Sequence, residues 1–464
     1  MERKKYYLGI DLGTSSVKGI LRSADGETLK ARCTYKENTP KEWCNSMRSL
    51  ISELSDKVSG NIAAVCFSSQ VGTYIVDRKE VISWQSSAGR EELDYIKSLI
   101  PQDEFVKEIS MPHPDLISYP LPRLVYIQKR FSAECEVLMP KDLLINELTG
   151  EKVTDYFSMR GIADLERGRY ADDLIKKLGI EIKLPELRSP ESIAGYVTKE
   201  ASQKYFLKAG TPVYLGCNDF FAGLLGMGVY SVGDAFDLSG TSEHIGYISE
   251  DINLGGFVSG KYFTGNCTYG GTKSSGLSCS FAIKNFGIKD IDIDSMLSSD
   301  PPIFLPYLCG ERAPIFDENA RGVYFGINEH TDSKALAYSV LEGVVFSLYD
   351  IASSMNLPVF KRLICGGGSA KDALMNTLRA TLFDCEVVSV CENDTSALGA
   401  CMLGMVGEGV YENISDAVSS CVKYSVPISP EGKYRDILKK RFEIYKDLYE
   451  DLKNTFVKFG EIRY

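Results

Sequence analysis

YLGIDLGTSSVKGIL, at residues 7–21, is the stretch that decides the fold, because AFDLSGTSEHIGYI at residues 235–248 repeats its pattern. In each copy an apolar run leads into Gly-Thr-Ser and a second apolar run follows, which predicts a strand, a tight turn and another strand. A turn that combines glycine with hydroxyl side chains exposes backbone N–H groups and hydroxyl donors, which suit a phosphate group. Two such turns predict two related domains that face one polyphosphate.

The two copies of the turn differ at one position. Asp11 lies two residues before Gly13, whereas Leu238 lies two residues before Gly240, so only the first turn has a neighbouring carboxylate. An unpaired carboxylate is costly to bury, and beside a phosphate-binding turn it is a natural partner for hydrated Mg²⁺. Asp11 is therefore predicted to support a magnesium ion. Lys18 is a further candidate for phosphate, although most lysines are simply solvated.

Length and composition limit the class of protein. The 464 residues exceed one ordinary hydrophobic core and predict two domains. The net charge of −11, without a basic tract, argues against nucleic-acid binding. The first residues run into a predicted strand without a secretory apolar segment, and no apolar run approaches the length of a membrane span. The 13 cysteines include no Cys-x-x-Cys pair and only 3 histidines are present, so neither disulfides nor a zinc cluster are expected. These features predict a cytoplasmic protein without a membrane or nucleic-acid partner.

Both halves of the chain begin with strands and continue with alternating helices and strands. In the first half, strands are predicted near residues 6–12, 17–23 and 28–35, a helix near 44–58 and a buried strand within 61–70. In the second half, strands are predicted near 234–240, 244–249 and 257–264, a long helix near 331–355, a strand at 362–365, a helix at 371–383 and a strand at 385–390. This repetition predicts a duplicated α/β fold.

Asp219 lies between a predicted buried strand and an apolar, glycine-rich helix, in the stretch GTPVYLGCNDFFAGLLGMG at residues 210–228. One interpretation is structural, because an aspartate at the start of a helix commonly accepts hydrogen bonds from the first-turn amides. The other interpretation is functional, because a carboxylate at the mouth of a sheet can act as a base. Position alone does not decide between them.

A glycine triplet, Gly366-Gly367-Gly368, follows a predicted buried strand and precedes a predicted helix. Its spacing fits neither a P-loop nor a dinucleotide-binding fingerprint, and a helix-entry turn is its ordinary role. In this position, however, glycine lets the backbone approach a ligand closely while helix amides point at it. A carboxylate for a metal, a base for a hydroxyl and donors around a γ-phosphate are together the parts of a phosphoryl transfer.

Six segments, in order over nearly the whole chain, carry a resemblance: GIDLGTSSVK, GCNDFFAGLLGMG, LSGTSEHIG, LPYLCGERAPIFDENARGVYFGI, ALAYSVLEGVVFSLYDI and CGGGSAKDALMNTLRATLF. Together they resemble the FGGY family of carbohydrate kinases, in the actin/hexokinase/Hsp70 ATPase superfamily. The resemblance implies an α/β fold of two RNase H-like domains with an interdomain cleft. It implies residues 1–229 as the domain for sugar and metal and residues 230–464 as the ATP-binding domain. It also implies ATP and Mg²⁺ as cofactors and a small-molecule sugar as substrate, and family members are often homodimers.

The resemblance assigns roles to the residues at matching positions. Asp219 matches the catalytic base that takes the proton from the sugar hydroxyl, and Asp11 matches the residue that supports Mg²⁺. The residues implied to bind ATP and its phosphates are Thr14, Ser15, Ser16, Lys18, Gly240, Thr241, Ser242, Gly366, Gly367, Gly368 and Asn376. The residues implied to line the sugar pocket are Gln70, Val71, Gly72, Trp84, Asn218 and Asp219.

The implied sugar pocket departs from the family pattern. Xylulose kinases of the family typically show Gly-Gln-Met-His-Gly where this chain reads SQVGT, so Gly72 stands at the histidine position. Many members have Trp-x-Asp-x-Arg where this chain reads WQSSA, so Ser86 and Ala88 stand at the aspartate and arginine positions. Arg90, two residues further on, reads either as a replacement or as a solvated residue at the start of a helix. These changes alter how the hydroxyl groups of a polyol are paired.

The expected reaction is transfer of the γ-phosphate of ATP to a hydroxyl of a small sugar, with a pentulose such as xylulose or ribulose as the first choice. Another ketose, a polyol or a sugar acid, for example sedoheptulose or gluconate, is the alternative substrate. A non-catalytic sugar or nucleotide sensor on the same fold is an alternative function, and the presence of both Asp11 and Asp219 argues against it. A mechanical ATPase of the Hsp70 or actin type is opposed by the Gly-Glu-Arg segment and the sequence around Asp219.

Overall fold

The computed structural model of this chain describes residues 4–113, 116–287 and 291–462. The chain forms two compact units, each built from several chain segments. The first unit contains Met1–Tyr230, Gly260–Phe263 and Asp394–Val422, and the second contains Ser231–Ser259, Thr264–Asn393 and Lys423–Tyr464. The packing of residues 394–422 within the first unit has no counterpart among the sequence-based expectations.

Strands and helices alternate through most of the described chain. The strands are β1 (Tyr6–Leu12), β2 (Ser16–Ser23), β3 (Thr28–Thr34), β4 (Ile62–Ser69), β5 (Tyr74–Val76), β6 (Glu80–Ile82), β7 (Val137–Leu138), β8 (Val153–Asp155), β9 (Ala163–Asp164), β10 (Arg169–Tyr170), β11 (Glu186–Arg188), β12 (Ile193–Tyr196), β13 (Pro212–Asn218), β14 (Ala235–Ser239), β15 (Glu243–Ser249), β16 (Val258–Lys261), β17 (Asn266–Thr272), β18 (Ile303–Leu305), β19 (Val323–Phe325), β20 (Arg362–Gly367) and β21 (Glu386–Ser389). The helices are α1 (Pro40–Lys57), α2 (Arg90–Leu99), α3 (Gln102–Ile109), α4 (Pro120–Arg130), α5 (Pro140–Thr149), α6 (Asp172–Lys177), α7 (Lys199–Tyr205), α8 (Asp219–Met227), α9 (Gly276–Phe286), α10 (Ile293–Ser298), α11 (Ser333–Ser354), α12 (Ala373–Phe383), α13 (Thr395–Gly407), α14 (Ile414–Cys421) and α15 (Gly432–Glu461), with a 3₁₀ turn at Ser369–Lys371.

A six-stranded sheet in the order β12-β13-β4-β1-β2-β3 forms the centre of the first unit. Strand β1 runs antiparallel to β2 and parallel to β4, and β4 runs parallel to β13. The carboxyl ends of three parallel strands therefore lie at one edge, where Asp11 is aligned with Ser68 and Asn218 is aligned with Ser69. Ligands of open α/β sheets bind outside this edge.

The sequence forms these elements for ordinary reasons of packing. All seven residues of β1 are buried, as expected for a strand covered on both faces. Helix α1 begins after Thr39, whose side chain accepts the N–H of Glu42, and a proline occupies its first turn. Its buried stripe contains Trp43, Met47 and Leu50, which belong to the same hydrophobic core as β1 and β4.

Helices α8 and α13 pack closely in the first unit because glycines remove the side chains between them. A Cβ atom at Gly226 of α8 would lie 1.9 Å from the Thr395 carbonyl oxygen of α13. A Cβ atom at Gly9 of β1 would lie 2.1 Å from the carbonyl oxygen of Ala397. The glycine-rich sequences of both helices therefore reflect backbone-to-backbone packing over the sheet.

A second six-stranded sheet has the order β16-β17-β15-β14-β20-β21. Strand β14 runs antiparallel to β15, β15 antiparallel to β17, and β14 parallel to β20. Strands β20, β14, β15 and β17 thus repeat the arrangement of β4, β1, β2 and β3. The duplicated α/β organisation predicted from the two Gly-Thr-Ser turns is present in the structure.

Helix α11 corrects one expectation about apolar runs. With 22 residues and a mean hydropathy of 1.4 in its most apolar window, it is long and apolar enough to cross a membrane, the one such helix in the described part of the chain. Within the protein, however, 89% of that window is buried. Tyr338, Leu341 and Val344 of this helix lie in a core cluster with residues of α12 and α15. The length and apolarity of α11 are therefore those of a core helix of the second unit.

Most predicted elements are present with small shifts of their ends, for example Ser16–Ser23 for the strand near 17–23 and Ser333–Ser354 for the helix near 331–355. The helix predicted at 371–383 is a 3₁₀ turn followed by α12, which begins after the capping residue Asp372. Strand β17 and the 30-residue helix α15 were not predicted. All cysteines are free thiols.

Candidate active site

Asp11 is a buried carboxylate near the carboxyl end of β1. Ser68 of β4 donates a hydrogen bond from Oγ to Asp11 Oδ1 at 2.8 Å. Burial raises the pKa of Asp11 above its ordinary value, although the Ser68 hydrogen bond and the charge of Lys18 act in the opposite direction. A carboxylate in this state is stabilised by a nearby cation, which is what a metal-supporting role requires.

Asp219 is the first residue of α8, but it is not the residue that caps the helix. Asn218 is the cap, because its Oδ1 accepts the N–H of Phe221 at 2.9 Å. Asp219 Oδ1 accepts the neighbouring N–H of Phe220 at 3.0 Å, and backbone hydrogen bonds to the Asp219 carboxylate, including one from Val71, act to lower its pKa. Burial, followed by repulsion from Asp11, raises the pKa of Asp219 from 3.8 to about 7. The carboxylate therefore has the basicity of a general base that operates near neutral pH.

The start of α13 fixes the backbone around both carboxylates. Ser396 Oγ donates to the carbonyl oxygen of Asp219 at 2.8 Å. Ser68 Oγ lies 3.4 Å from the carbonyl oxygen of Ser396, so the same residue also contacts the strand beside Asp11. Sequence analysis did not identify Ser68 or Ser396, since only the fold brings residues 68, 219 and 396 together.

The first Gly-Thr-Ser turn lies next to residues that were assigned to the sugar pocket. Trp84 Nε1 donates to Thr14 Oγ1 at 3.3 Å, and Thr14 Oγ1 donates to Gln70 Oε1 at 3.4 Å. Thr14 and Ser15 are exposed, whereas Ser16 is buried as the first residue of β2. The turn therefore offers the hydroxyls of Thr14 and Ser15 to a ligand, but not that of Ser16.

Lys18 has a partner within the first unit. Its Nζ lies 3.3 Å from Asp394 Oδ1, and its position on β2 is opposite Asp11 in the strand register. Both side chains of this ion pair are half-buried, and the pair places the ammonium group beside the carboxyl edge of the sheet. Asp394, which precedes α13, carried no signal in the sequence.

Gly72 has a backbone conformation and surroundings that leave no room for a side chain. Its φ of +80° is strained for any other residue, and a Cβ atom there would lie 2.7 Å from Ser118 Cβ. Ser118 therefore fills the space that a side chain at position 72 would need. Val71, the neighbouring residue, is 42% exposed.

Arg123 holds the loop that carries Trp84. Its fully buried guanidinium donates from Nη2 to the carbonyl oxygens of Ser83 and Ser86, at 3.1 and 2.9 Å. The departure from the family pattern at position 86 thus lies in a loop that is fixed through its backbone. Arg90 is exposed at the start of α2, in agreement with its interpretation as a solvated residue.

Asn218 uses both ends of its side-chain amide within the fold. Besides capping α8 with Oδ1, it donates from Nδ2 to the carbonyl oxygen of Phe157 at 3.3 Å. The structure therefore gives Asn218 the role of orienting the start of α8, and with it Asp219.

The glycine-rich turns of the second unit are joined through one hydroxyl. Ser239 Oγ donates to the carbonyl oxygen of Gly366 at 2.9 Å and accepts the N–H of Ser369 at 2.9 Å. Gly367 has a φ of +86°, and a Cβ atom there would lie 1.8 Å from the carbonyl oxygen of Ser239. Glycine is therefore required for the turn at 366–368 to pass so close to the turn at 240–242.

Asn376 is a buried residue next to the turn at 366–368. It is 3% exposed, and its Nδ2 donates to the carbonyl oxygen of Ala370 at 2.8 Å. Its Oδ1 accepts a hydrogen bond from Arg379 Nη1 at 3.0 Å. Asp237, one residue before Leu238, lies 2.6 Å from the same arginine, so this carboxylate of β14 is turned into the core of the unit. Sequence analysis did not identify Arg379, Glu243 or Asp237 as parts of the site.

The carboxylates of the first unit fit a magnesium ion that arrives with a nucleotide. In the described ranges no group of three or more His, Cys, Asp or Glu side chains could hold a metal by itself. Mg²⁺ is usually bound through one or two carboxylates together with phosphate oxygens and water. Asp11 and Asp219, whose charges repel each other, supply that limited donor set.

Comparison with known proteins places the chain in one family over most of its length. Residues 6–226 match the N-terminal domain of the FGGY family of carbohydrate kinases, and residues 291–408 match its C-terminal domain. Xylulose kinase from Lactococcus lactis subsp. lactis is 27% identical over 98% of this chain and 99% of its own length. Gluconokinase from Bacillus subtilis is 24% identical, over 98% of each chain.

Solved structures share the fold. The structure of ligand-bound xylulose kinase from Lactobacillus acidophilus superimposes with a TM-score of 0.87, at 24% identity, over 98% of this chain and 100% of that one. The two family domains together span more than half of the sequence, and the N-terminal match contains the first Gly-Thr-Ser turn, Asp11 and Asp219. The chain belongs to the FGGY family of carbohydrate kinases.

Proposed function

We propose that this carbohydrate kinase transfers the γ-phosphate of ATP to a hydroxyl of a pentulose such as xylulose or ribulose, with Asp219 as the general base. The observation that carries the proposal is the state of Asp219, a carboxylate left free of the capping role and with a pKa raised to about 7. The full-length similarity to a xylulose kinase supports a pentulose as the acceptor.

In the proposed reaction Asp219 accepts the proton of the sugar hydroxyl as its oxygen attacks the γ-phosphorus, and ADP leaves. A base with a pKa close to the working pH is deprotonated before the reaction and still able to hold the proton during it. Trp84 and Gln70 lie beside Thr14 and are assigned to the sugar, as is Val71. Asn218 is assigned to orienting Asp219 rather than to direct contact with substrate.

The nucleotide half of the site is assigned to the second unit. The turns at 240–242 and 366–368 are the proposed contacts for the phosphates and the ribose, and they are supported by their shared hydrogen bonds to Ser239. Thr14 and Ser15 are assigned to the phosphates from the first unit. Asp11 is assigned to Mg²⁺, which would neutralise phosphate charge when it is bound.

Further assignments follow the family. Residues 1–229 are proposed as the domain for sugar and metal, with 394–422 packed in the same unit, and residues 230–464 as the ATP-binding domain. A cytoplasmic location and a homodimer are proposed on the same basis.

A sugar acid such as gluconate is the second candidate substrate. The full-length similarity to a gluconokinase favours it over other sugars, and Gly72 removes one contact that the xylulose kinase pattern provides through histidine. A non-catalytic sensor is disfavoured, because binding alone does not require two neighbouring carboxylates, Asp11 and Asp219, whose charges repel each other.

A substrate panel separates these candidates. ADP release by the purified protein with ATP and Mg²⁺ is expected to be fastest, at equal concentrations, with xylulose or ribulose. The panel includes gluconate, sedoheptulose, glycerol and a sample without sugar. Gluconate as the best substrate by tenfold or more in kcat/KM would replace the first candidate with the second. No stimulation by any sugar would favour the sensor.

The pH dependence of the reaction tests the assignment of the base. Since only deprotonated Asp219 accepts a proton, kcat/KM for the sugar is expected to fall about tenfold per pH unit below pH 7 and to be level above it. Burial lowers the pKa of His244 to about 4, so the titration of this histidine does not produce the same fall in kcat/KM below pH 7. A level profile between pH 5.5 and 8, with the protein folded throughout, would contradict the assignment.

A further inference from the structure

Arg379 of α12 is at the centre of a buried charge cluster in the second unit, and it is fully buried. Its Nε lies 2.6 Å from Asp237 Oδ2, and its Nη2 lies 2.7 Å from Glu243 Oε1. The same Nη2 donates to Ser369 Oγ at 2.6 Å. Nη1 donates to Asn376 Oδ1 at 3.0 Å. Nη1 and Nη2 therefore donate hydrogen bonds, while Nε lies in a close ion pair with Asp237.

The partners of Arg379 flank the glycine-rich turns. Asp237 and Glu243 lie on either side of the turn at 240–242, and Glu243 is paired with Ser239 across the hairpin. Side chains of one strand alternate between faces, so Asp237, Ser239 and Glu243 point to the same face of the sheet. Ser369 closes the turn at 366–368. One side chain thus holds both turns and Asn376.

The cluster also controls charge beside the turns. Two buried carboxylates behind a phosphate-binding turn would repel a triphosphate. The guanidinium offsets one charge, and burial together with the neighbouring Glu243 raises the pKa of Asp237 well above its ordinary value. Ser369 Oγ donates to Glu243 Oε1 at 2.9 Å and completes the network.

We propose that Arg379 is a positioning residue for ATP, which fixes the turns at 240–242 and 366–369 and Asn376 in one nucleotide-binding geometry. This inference rests on the proposed assignment of these turns to the nucleotide. Arg379 itself is buried and does not contact the ligand. Lysine cannot replace it, because a single ammonium group cannot reach the oxygen atoms of four residues that are arranged around a planar guanidinium.

A second buried arginine provides a matched control. Arg441 of α15 lies in the same unit and is ion-paired with Glu342, at 2.7 Å from Nη2 to Oε2. It also donates to the carbonyl oxygens of Pro301 and Pro302, at 3.0 and 2.9 Å. None of these partners belongs to the glycine-rich turns. Replacing either arginine by lysine removes several buried hydrogen bonds of a guanidinium group. The two variants therefore differ chiefly in whether the lost partners flank the glycine-rich turns.

The test compares Arg379→Lys, Ser369→Ala and Arg441→Lys. ADP binding is measured by calorimetry, which requires no sugar, together with KM for ATP, KM for the sugar and the Tm. Arg379→Lys is expected to weaken ADP binding and raise KM for ATP by roughly tenfold to a hundredfold, with KM for the sugar within twofold. Ser369→Ala, a milder change, is expected to act in the same direction by a few-fold. Arg441→Lys is expected to lower the Tm and leave ADP binding within twofold.

The inference is overturned if Arg379→Lys and Ser369→Ala lower the Tm as Arg441→Lys does but bind ADP normally, because Arg379 is then only a structural ion-pair partner.

A separate pair of variants tests the nucleotide site itself. Gly368 and Gly432 both have open space around the position of a Cβ atom. Gly368→Glu is expected to weaken ADP binding at least tenfold, and Gly432→Glu to leave it unchanged. Normal ADP binding by Gly368→Glu would overturn the nucleotide assignment. If Gly368→Glu weakened ADP binding while Arg379→Lys and Ser369→Ala bound ADP normally, the nucleotide assignment would stand and only the role of Arg379 would be overturned.

Discussion

Replacing Asp219 with asparagine is expected to lower kcat by about 10³-fold while ADP still binds with its normal affinity. The amide keeps the size of the carboxylate and the hydrogen bond from the N–H of Phe220, but it cannot accept a proton from the sugar. Because Asn218 caps α8, the helix start is preserved. The measurements are ADP release with saturating sugar and calorimetric binding of ADP.

The stability of the same variant gives an independent readout. The pKa of Asp219 is raised from 3.8 to about 7, so its contribution to stability is present below pH 3.8 and is lost as the pH rises through 7. The Tm of Asp219→Asn relative to the unchanged protein is therefore expected to increase between pH 5 and pH 8. Asp172→Asn, at the exposed first residue of α6, is the matched control and is expected to change neither kcat nor this trend. Full activity of Asp219→Asn would remove the proposed base.

Replacing Asp11 with asparagine is expected to lower kcat by about 10²-fold and to raise the Mg²⁺ concentration needed for half-maximal activity by about tenfold. Asparagine can still accept the Ser68 hydrogen bond, but it carries no charge to offset the metal. The loss of the negative neighbour is also expected to move the acid limb of the pH profile to lower pH, since repulsion from Asp11 raises the pKa of Asp219.

The control for Asp11 is another buried carboxylate of the first unit. Asp164 accepts backbone N–H groups of Glu166 and Arg167, at 3.1 and 3.2 Å, and lies outside the carboxyl edge of the central sheet. Asp164→Asn is expected to change the Tm without changing the Mg²⁺ dependence. A normal Mg²⁺ dependence of Asp11→Asn would show that the carboxylate has a structural role only.

The repeated Gly-Thr-Ser pattern was sufficient to predict a duplicated α/β fold, because strand periodicity and turn chemistry are local properties. Asp11 was predicted for the same reason, since it ends an apolar run beside the first turn, whereas position alone left two interpretations of Asp219 and the family resemblance assigned it the role of the base. The cap of α8 was not predictable, because Asn218 and Asp219 are both favourable capping residues and only the backbone geometry assigns the role to Asn218.

Other parts of the site depend on contacts between distant segments. The local sequence around Asp237 does not indicate a role for this residue. Strand alternation nevertheless directs its side chain to Arg379, which lies far along the chain. The return of α13 to the first unit, where Ser396 holds the backbone of Asp219, likewise has no signal in the local pattern.

By itself, the sequence determined two strand–turn–strand units with hydroxyl-rich turns, and one carboxylate beside a turn and another after a buried strand, all of which follow from residues close together in the chain. The tertiary structure alone decided the state of these groups. The burial of Asp219 and its repulsion by Asp11 raise its pKa, and the positive φ of Gly72 together with Ser118 leaves no room for a side chain at position 72. The turns of the second unit are joined through Arg379. The physical reason is that burial and charge–charge interactions act through space, between residues whose distance along the chain says nothing about their distance in the fold.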